Sequence, residues 1–349
     1  MNSIELVIMP CFTNYTLPEL EKWFAENGMK QFRARQVWDW FYLHGADDYD
    51  KMLNLPKKVR NFLLNNLSLI QSSVAKIKIA ADDSEKSLII LAKDNEFVES
   101  VWIPMGSHAT VCVSTQVGCP IRCSFCASGA YGLERNLTTG EIVEQVWYSS
   151  KAYSRRGIKN LVFMGMGEPF LNYDNLIKAI KILNDENGLK IGARRMTVST
   201  VGILKRIVDF AKDVPQSNLA VSLHATTDEL RKELIPGCPS SIAALLSALS
   251  EYYKRAHRKI TYEYVLLKGI NDSLNQAAEL SRIIKKIPSK INLIEYNKVD
   301  FNDYEAPDRN TVNKFSNYLI KKGIDVAIRR KKGDDINAAC GQLRRKQKI

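Results

Sequence analysis

The apolar positions of this chain change period twice, and the changes mark out its elements. Leu17, Leu20, Trp23 and Phe24 recur at helical spacing, as do Val37, Trp38, Trp40 and Phe41, which predicts short helices between about residues 16 and 68. Residues 1–15 form a weakly patterned lead-in. From Lys86 the spacing shortens. Ser87-Leu88-Ile89-Ile90-Leu91 and Phe97-Val98-Glu99-Ser100-Val101-Trp102-Ile103 read as two strands joined at Asp94-Asn95, a hairpin. Beyond it, apolar strands near 111–115, 160–164, 196–200, 219–223, 260–266, 290–296 and 324–328 alternate with amphipathic helices near 139–151, 173–187, 202–212, 240–257, 274–286 and 308–322. Such alternation predicts a parallel sheet, open or rolled into a barrel, and in either form ligands collect at the carboxyl ends of the strands. The chain divides accordingly into a helical accessory domain (1–75), a β-hairpin linker (76–104), an α/β core (105–335) and a C-terminal segment with a basic tail (336–349).

Composition narrows the class. A chain of 349 residues with 45% hydrophobic content is too apolar for disorder and long enough for one large α/β domain with a small companion. Its 50 Lys+Arg against 38 Asp+Glu leave a formal net charge of +12, which points to a polyanionic partner or simply to a solvated lysine-rich surface. The basic residues Lys30, Arg33, Arg35, Lys51, Lys57, Lys58 and Arg60 concentrate in the helical module, and Arg344 to Lys348 form a second basic run. No apolar run approaches the roughly 18 residues needed to span a bilayer. The seven cysteines are odd in number and locally clustered, unlike a secreted disulfide framework, so a soluble protein of a reducing, intracellular compartment is expected.

Chemistry concentrates just after the first core strand. Cys119-Pro-Ile-Arg-Cys123-Ser-Phe-Cys126 is a C-x3-C-x2-C run that wraps three thiols around one inorganic centre. A structural zinc site wants four protein ligands, and Cys112 or His108 is available as the fourth. Three cysteines alone suit a [4Fe-4S] cluster with one iron left open. Further polar groups follow the later strands: Gly165-Met166-Gly167-Glu168-Pro169, Ser199-Thr200-Val201-Gly202, Ser222-Leu223-His224-Ala225 and Asn297. Singly, each reads as a cap or a satisfied core polar group. Together they ring one end of the sheet.

The cysteine loop, with Phe125 before its last cysteine, resembles the signature of the radical S-adenosylmethionine (SAM) enzymes. The GMGEP run resembles that superfamily's GGEP-type motif. The finer resemblance is to the RlmN/Cfr family of RNA adenine methyltransferases, on its RlmN branch, over nearly the whole chain. It is carried by Gln31-Phe32-Arg33-Ala34-Arg35-Gln36-Val37-Trp38, by Val98-Glu99-Ser100-Val101-Trp102-Ile103-Pro104, by Cys112-Val113-Ser114-Thr115-Gln116, and most specifically by Gly333-Asp334-Asp335-Ile336-Asn337-Ala338-Ala339-Cys340-Gly341-Gln342-Leu343. The fold it implies is a partial (β/α)6 TIM-type radical SAM barrel with a small N-terminal helical RNA-binding domain and a β-hairpin extension.

The resemblance also implies a mechanism. Cys119, Cys123 and Cys126 hold the cluster, while Gly167, Glu168, Ser199, Ser222, Leu223, His224 and Asn297 line the SAM pocket. Cys340 takes a methyl group from one SAM; a second SAM yields the radical that activates that methyl for addition to an adenine ring carbon. Cys112 then resolves the protein–RNA thioether as a disulfide, and Glu99 is the general base; alone, Glu99 would read as a surface carboxylate on a strand. The implied substrates are an adenosine in the peptidyl-transferase region of 23S rRNA, methylated at carbon 2, and the adenosine beside the anticodon of some tRNAs. A monomer served by an electron donor such as flavodoxin or ferredoxin, in the cytoplasm and without a membrane partner, completes the expectation. Methylation at carbon 8, as in Cfr, is the first alternative, and a non-enzymatic RNA-binding protein with a zinc loop the second. Lys298, where the family commonly has Pro, and the segment from Phe301 to Pro307 depart from the pattern. Gly333 and Gly341 are expected to let the Cys340 segment move.

Overall fold

The computed structural model describes residues 9–152 and 157–343; the basic run at 344–348 and most of the N-terminal lead-in lie outside the described residues. The helical module comprises α1 (Leu17–Glu26), α2 (Phe32–Tyr42) and α3 (Lys57–Asn66). Glu19 closes the start of α1, its carboxylate accepting from the Thr16 backbone N–H at 2.8 Å and hydroxyl at 2.9 Å. Ala34, Val37, Trp38 and Phe41 form the buried stripe of α2, and Phe12 packs against the Trp38, Phe41 and Tyr42 rings.

An antiparallel meander follows: β1 (Ser72–Ile79), β2 (Glu85–Leu91), β3 (Phe97–Met105) and β4 (His108–Cys112). The β2–β3 hairpin is where the alternation predicts it. Strand β1 lies outside the predicted elements: Ala75, Ile77 and Ile79 alternate with Lys76 and Lys78 over only five residues, and this apolar side is exposed at the sheet edge rather than packed on the core. The strand expected at 111–115 ends at Cys112 instead. The reason is local: the Gln145 side chain accepts from Ser114 N at 2.8 Å and donates to Ser114 O at 3.0 Å, taking the place of a neighbouring strand. The freed chain turns into a short ribbon of β5 (Gln116–Gly118) and β6 (Leu133–Asn136), also unpredicted.

The core continues as α4 (Thr139–Ala152), β7 (Ile158–Phe163), α5 (Tyr173–Asn184), β8 (Met196–Thr200), α6 (Leu204–Asp213), β9 (Asn218–Ser222), α7 (Asp228–Leu234), α8 (Ile242–Ala256), β10 (Ile260–Leu266), α9 (Leu274–Ile284), β11 (Ser289–Glu295), α10 (Arg309–Lys321) and β12 (Asp325–Arg329). In space the strands run β1-β2-β3-β4-β7-β8-β9-β10-β11-β12, parallel from β4 onward. Spatial order equals chain order, so the winding never reverses. A doubly wound sheet must reverse, whereas successive crossovers in one direction give a barrel-type curl. The meander is thus a continuation of the barrel sheet. Among the described residues, no helix is long and apolar enough to cross a membrane.

The helical module and the barrel share one apolar core. Trp147 of α4 stacks on Phe41 with centroids 4.8 Å apart and donates its indole N–H to Phe41 O at 3.1 Å. Nearby, the buried Glu144 accepts from the Thr13 hydroxyl at 2.6 Å, from Gln71 N at 3.0 Å and from the Ser72 hydroxyl. Burial pushes its carboxyl up to about 7.

Candidate functional site

The cysteine loop leaves the C-terminal rim of the sheet through the β5–β6 ribbon. Gly118 opens it with φ +79°, and a Cβ there would lie 2.0 Å from Gly132 O, so only glycine fits. Hydrogen bonds from Cys119 N to Gly132 O, Cys126 N to Cys123 O and Ser124 N to Leu234 O hold the loop's course. Ile121, Ala127, Leu234, Ile235, Val265 and Tyr296 surround it as a separate apolar cluster. Burial pushes the Cys119 thiol up to about 12 and raises those of Cys123 and Cys126 as well; the Cys123 thiol is also raised by its two neighbours. Thiolates in such a setting need a positive centre to compensate them.

The donor chemistry fits an iron–sulfur cluster: three thiols on one buried loop supply three irons of a cubane and leave the fourth open, whereas a structural zinc ion takes four protein ligands.

The polar strand ends assemble around this loop. Gly167 has φ +107°, with Gln116 so close that a Cβ would meet its side chain at 2.7 Å. Gln116 in turn accepts from Glu168 N at 2.8 Å. Glu168 is buried; its two carboxylate oxygens accept from Phe170 N at 3.0 Å and Val201 N at 2.9 Å, and burial pushes its carboxyl up to about 7. Ser199 and Ser222, on neighbouring β8 and β9, bring their hydroxyls within 3.5 Å of each other. Leu223 is fully buried behind them, its N–H donating to Glu263 O at 3.1 Å. His224 has left-handed backbone at φ +56°, and its ring meets Phe125 of the cysteine loop edge-on at 4.8 Å. Its Nδ1 accepts from Val265 N at 3.0 Å, which makes the ring the Nε2–H tautomer. Burial, then Arg231, push its pKa down to about 3, so it is neutral. Asn297 is 4% exposed; its Nδ2 donates to Cys340 O at 2.9 Å while its Oδ1 has no partner. That buried acceptor is open to any group with a donor, a water or a ligand alike.

Cys340 therefore lies at this site. Its segment docks on the cysteine loop, Ala127 N donating to Gly341 O at 2.7 Å and the Ser128 hydroxyl to Leu343 O at 2.7 Å. Cys340 is exposed to solvent, yet enough protein surrounds it that burial pushes the thiol up to about 11, Arg329 opposing. Cys112, at the end of β4, is pushed by burial and by the charge of Cys340 to about 12. The two cysteines thus share one electrostatic neighbourhood. Glu99 is not on the surface: it is fully buried on β3 and paired with Lys86 at 3.0 Å.

Other residues at the site carry no motif. Arg329 lies 3.7 Å from Glu263 and 3.5 Å from the Met164 sulfur, and its charge acts on both Cys112 and Cys340. Asn302 donates to Ser124 O at 2.8 Å, and the Tyr304 hydroxyl bonds the Ser124 hydroxyl at 3.1 Å. The segment that departs from the family pattern thus braces the cysteine loop. Only its odd sequence in an otherwise matching stretch hinted at it.

Residues 113–280, from the end of β4 into α9, match the Radical SAM superfamily, so the class is that of the radical SAM enzymes, which bind a [4Fe-4S] cluster and SAM. Residues 12–69 match the ribosomal RNA large subunit methyltransferase N-terminal domain. The chain is 42% identical over 333 residues to the Clostridium novyi protein described as "Probable dual-specificity RNA methyltransferase RlmN", covering 95% of this chain and 97% of that one. A Salinibacter ruber protein of the same description is 41% identical, with 93% and 91% covered. A crystal structure of a radical SAM methyltransferase from Sphaerobacter thermophilus superposes with a TM-score of 0.93 at 40% identity, over 97% of this chain and all of that one. The chain belongs to the RlmN family of radical SAM methyltransferases.

Proposed function

We propose that this protein methylates carbon 2 of an adenosine in the peptidyl-transferase region of 23S rRNA and of the adenosine beside the anticodon in some tRNAs, through a methylated Cys340 and a transient protein–RNA crosslink. Cys119, Cys123 and Cys126 would hold the cluster, and Gly167, Glu168, Ser199, Ser222, Leu223, His224 and Asn297 would line the place for SAM. When bound, these groups supply reductive cleavage of a sulfonium and hence a hydrogen-abstracting adenosyl radical.

The remaining chemistry belongs to the chain. Cys340, as thiolate, displaces a methyl group from SAM and carries that carbon to the base. Asn297 holds its backbone carbonyl meanwhile. Glu99 accepts a proton, and Cys112 attacks the sulfur of residue 340 to free the methylated RNA and leave a disulfide. Two SAM are used per turnover, one as methyl source and one as radical source. An external donor of flavodoxin or ferredoxin type returns electrons, and the enzyme works in the cytoplasm as a monomer. The basic helical module serves RNA phosphates, a contact that weakens with salt.

The observation that carries this reading is the docking of the Cys340 segment directly on the cysteine loop, with Cys112 in its electrostatic field. An ordinary RNA-binding protein with a structural metal has no use for that arrangement. The test compares two variants, reconstituted anaerobically and reacted with RNA. Cys112→Ala should accumulate a covalent, nuclease-sensitive protein–RNA band on a denaturing gel, and Cys340→Ala should form none. Mass spectrometry of the wild-type product should show 2-methyladenosine; 8-methyladenosine would transfer the reading to the Cfr-type reaction. Normal turnover by either variant would refute the covalent mechanism.

A further inference from the structure

The β1–β2 hairpin does more than extend the sheet. Its turn reaches the segment that precedes Cys340: Ala81 N donates to an Asp335 carboxylate oxygen at 3.0 Å, Gly333 N donates to Asp82 Oδ2 at 3.3 Å, and Lys332 lies 3.6 Å from the same Asp82 oxygen. One residue joins this clamp to the interior. Lys86, on β2, is 3% exposed; its ammonium lies 3.0 Å from the Glu99 carboxylate and donates to Asn337 O at 2.9 Å. Asn337 stands three residues before Cys340, in left-handed backbone at φ +54°. A fully buried carboxylate is tolerated when a cation and hydrogen bonds neutralise it, and a lysine with three donors serves two acceptors at once.

We infer that Lys86 is a positioning residue that seats the Cys340 segment and orients Glu99 together, so that the methyl carrier and the base stand in a set relation to each other. This rests on the roles proposed above for Cys340 and Glu99. Lys86 touches neither RNA nor SAM in this account; it acts through its two partners.

The test reads each arm separately, in cluster-loaded full-length protein. Lys86→Met should accumulate the covalent RNA adduct at least about tenfold over wild type, with the KM for RNA unchanged. Amide hydrogen exchange across residues 333–343 should rise, with the sheet unaffected. Glu99→Gln should accumulate the adduct without loosening that segment. Should loss of the ammonium beside Glu99 unfold Lys86→Met, the double variant Lys86→Met/Glu99→Gln removes both charges of the pair; it should fold and still show the raised exchange. Wild-type-like turnover by Lys86→Met, or an exchange pattern in the double variant equal to that of Glu99→Gln, overturns the inference. A stalled Glu99→Gln beside a normal Lys86→Met removes only the role of Lys86. A Glu99→Gln and a Cys112→Ala that both turn over normally would instead remove the reading on which it rests.

Discussion

Replacing Gly118 by Ala puts the cysteine loop under a load that can be worked out beforehand. The new Cβ would sit 2.0 Å from Gly132 O and 3.1 Å from its carbon. Carbon–oxygen contacts settle near about 3.3–3.6 Å, so the β5–β6 ribbon must open by roughly 1.3 Å. Both contacting atoms are backbone, and neither can swing aside. Opening breaks the bond from Cys119 N to Gly132 O, now 3.0 Å, at a cost of about 0.5–1.5 kcal/mol. Holding alanine in left-handed backbone adds about 1–2 kcal/mol. The sum is roughly 1.5–3.5 kcal/mol, or about 3–14 °C in melting temperature at roughly 2–4 °C per kcal/mol for larger domains. All of it falls beside Cys119, the first cysteine of the loop. Gly28→Ala is the matched control, since φ there is +70° and nothing lies within 4 Å of the added carbon. It should keep full iron and sulfide content after anaerobic reconstitution, while Gly118→Ala should lose most of both. If Gly118→Ala binds iron at wild-type stoichiometry and melts no lower than Gly28→Ala, the steric argument for the loop is wrong.

Glu144 gives stability a pH slope: its folded carboxyl titrates near 7 against 4.5 when free, so the folded state holds the proton more tightly and stability falls as pH rises from about 4.5 to about 7. Glu144→Gln should flatten that slope by roughly 2–3 kcal/mol in urea titrations at pH 5 and pH 8, and parallel curves would count against the assignment. Asn297→Ala removes the unpartnered acceptor and the donor to Cys340 O, and should weaken SAM binding about tenfold in equilibrium dialysis, the worth of one buried hydrogen bond; an unchanged dissociation constant would show that Oδ1 does not face the ligand.

Long amphipathic helices and buried parallel strands were legible in the sequence because each repeats one period for many residues. The helices at 139–152, 274–284 and 309–321 start within a residue of their expected positions. Short or solvated elements were not. Strand β1 alternates apolar residues over only five positions and leaves them exposed, β5 and β6 are three and four residues long, and α7 is a seven-residue helix whose capping Thr227 lies in an otherwise polar stretch. The site was legible as a set of motifs, since each follows a strand and parallel strands end together. Its connections were not. No local pattern says that Asn297 bonds Cys340, that Asn302 braces Ser124 from 178 positions away, or that Glu99 is buried against Lys86. Gly333 and Gly341, expected as points of motion, occupy tight left-handed turns at φ +64° and +85° within a docked segment. Those relations arise only when distant strands are brought side by side.

The shared core of the helical module and the barrel sets a rule for the RNA. Phe41 stacked on Trp147, with Glu144 gathering Thr13, Gln71 and Ser72, packs the two parts into one core. On the proposed function, the span from grip to thiol is then decided when the protein folds, not when it binds. The protein acts as a gauge: an adenine that cannot be brought to that span is not reached by bending the enzyme. Deformation falls instead on the nucleic acid, whose strand must unstack and splay the target base. Two RNAs of unrelated sequence can satisfy one gauge if each offers an adenine on a strand that yields easily at the same distance from a graspable backbone. Selection of this kind measures the compliance of the RNA before it reads any letter.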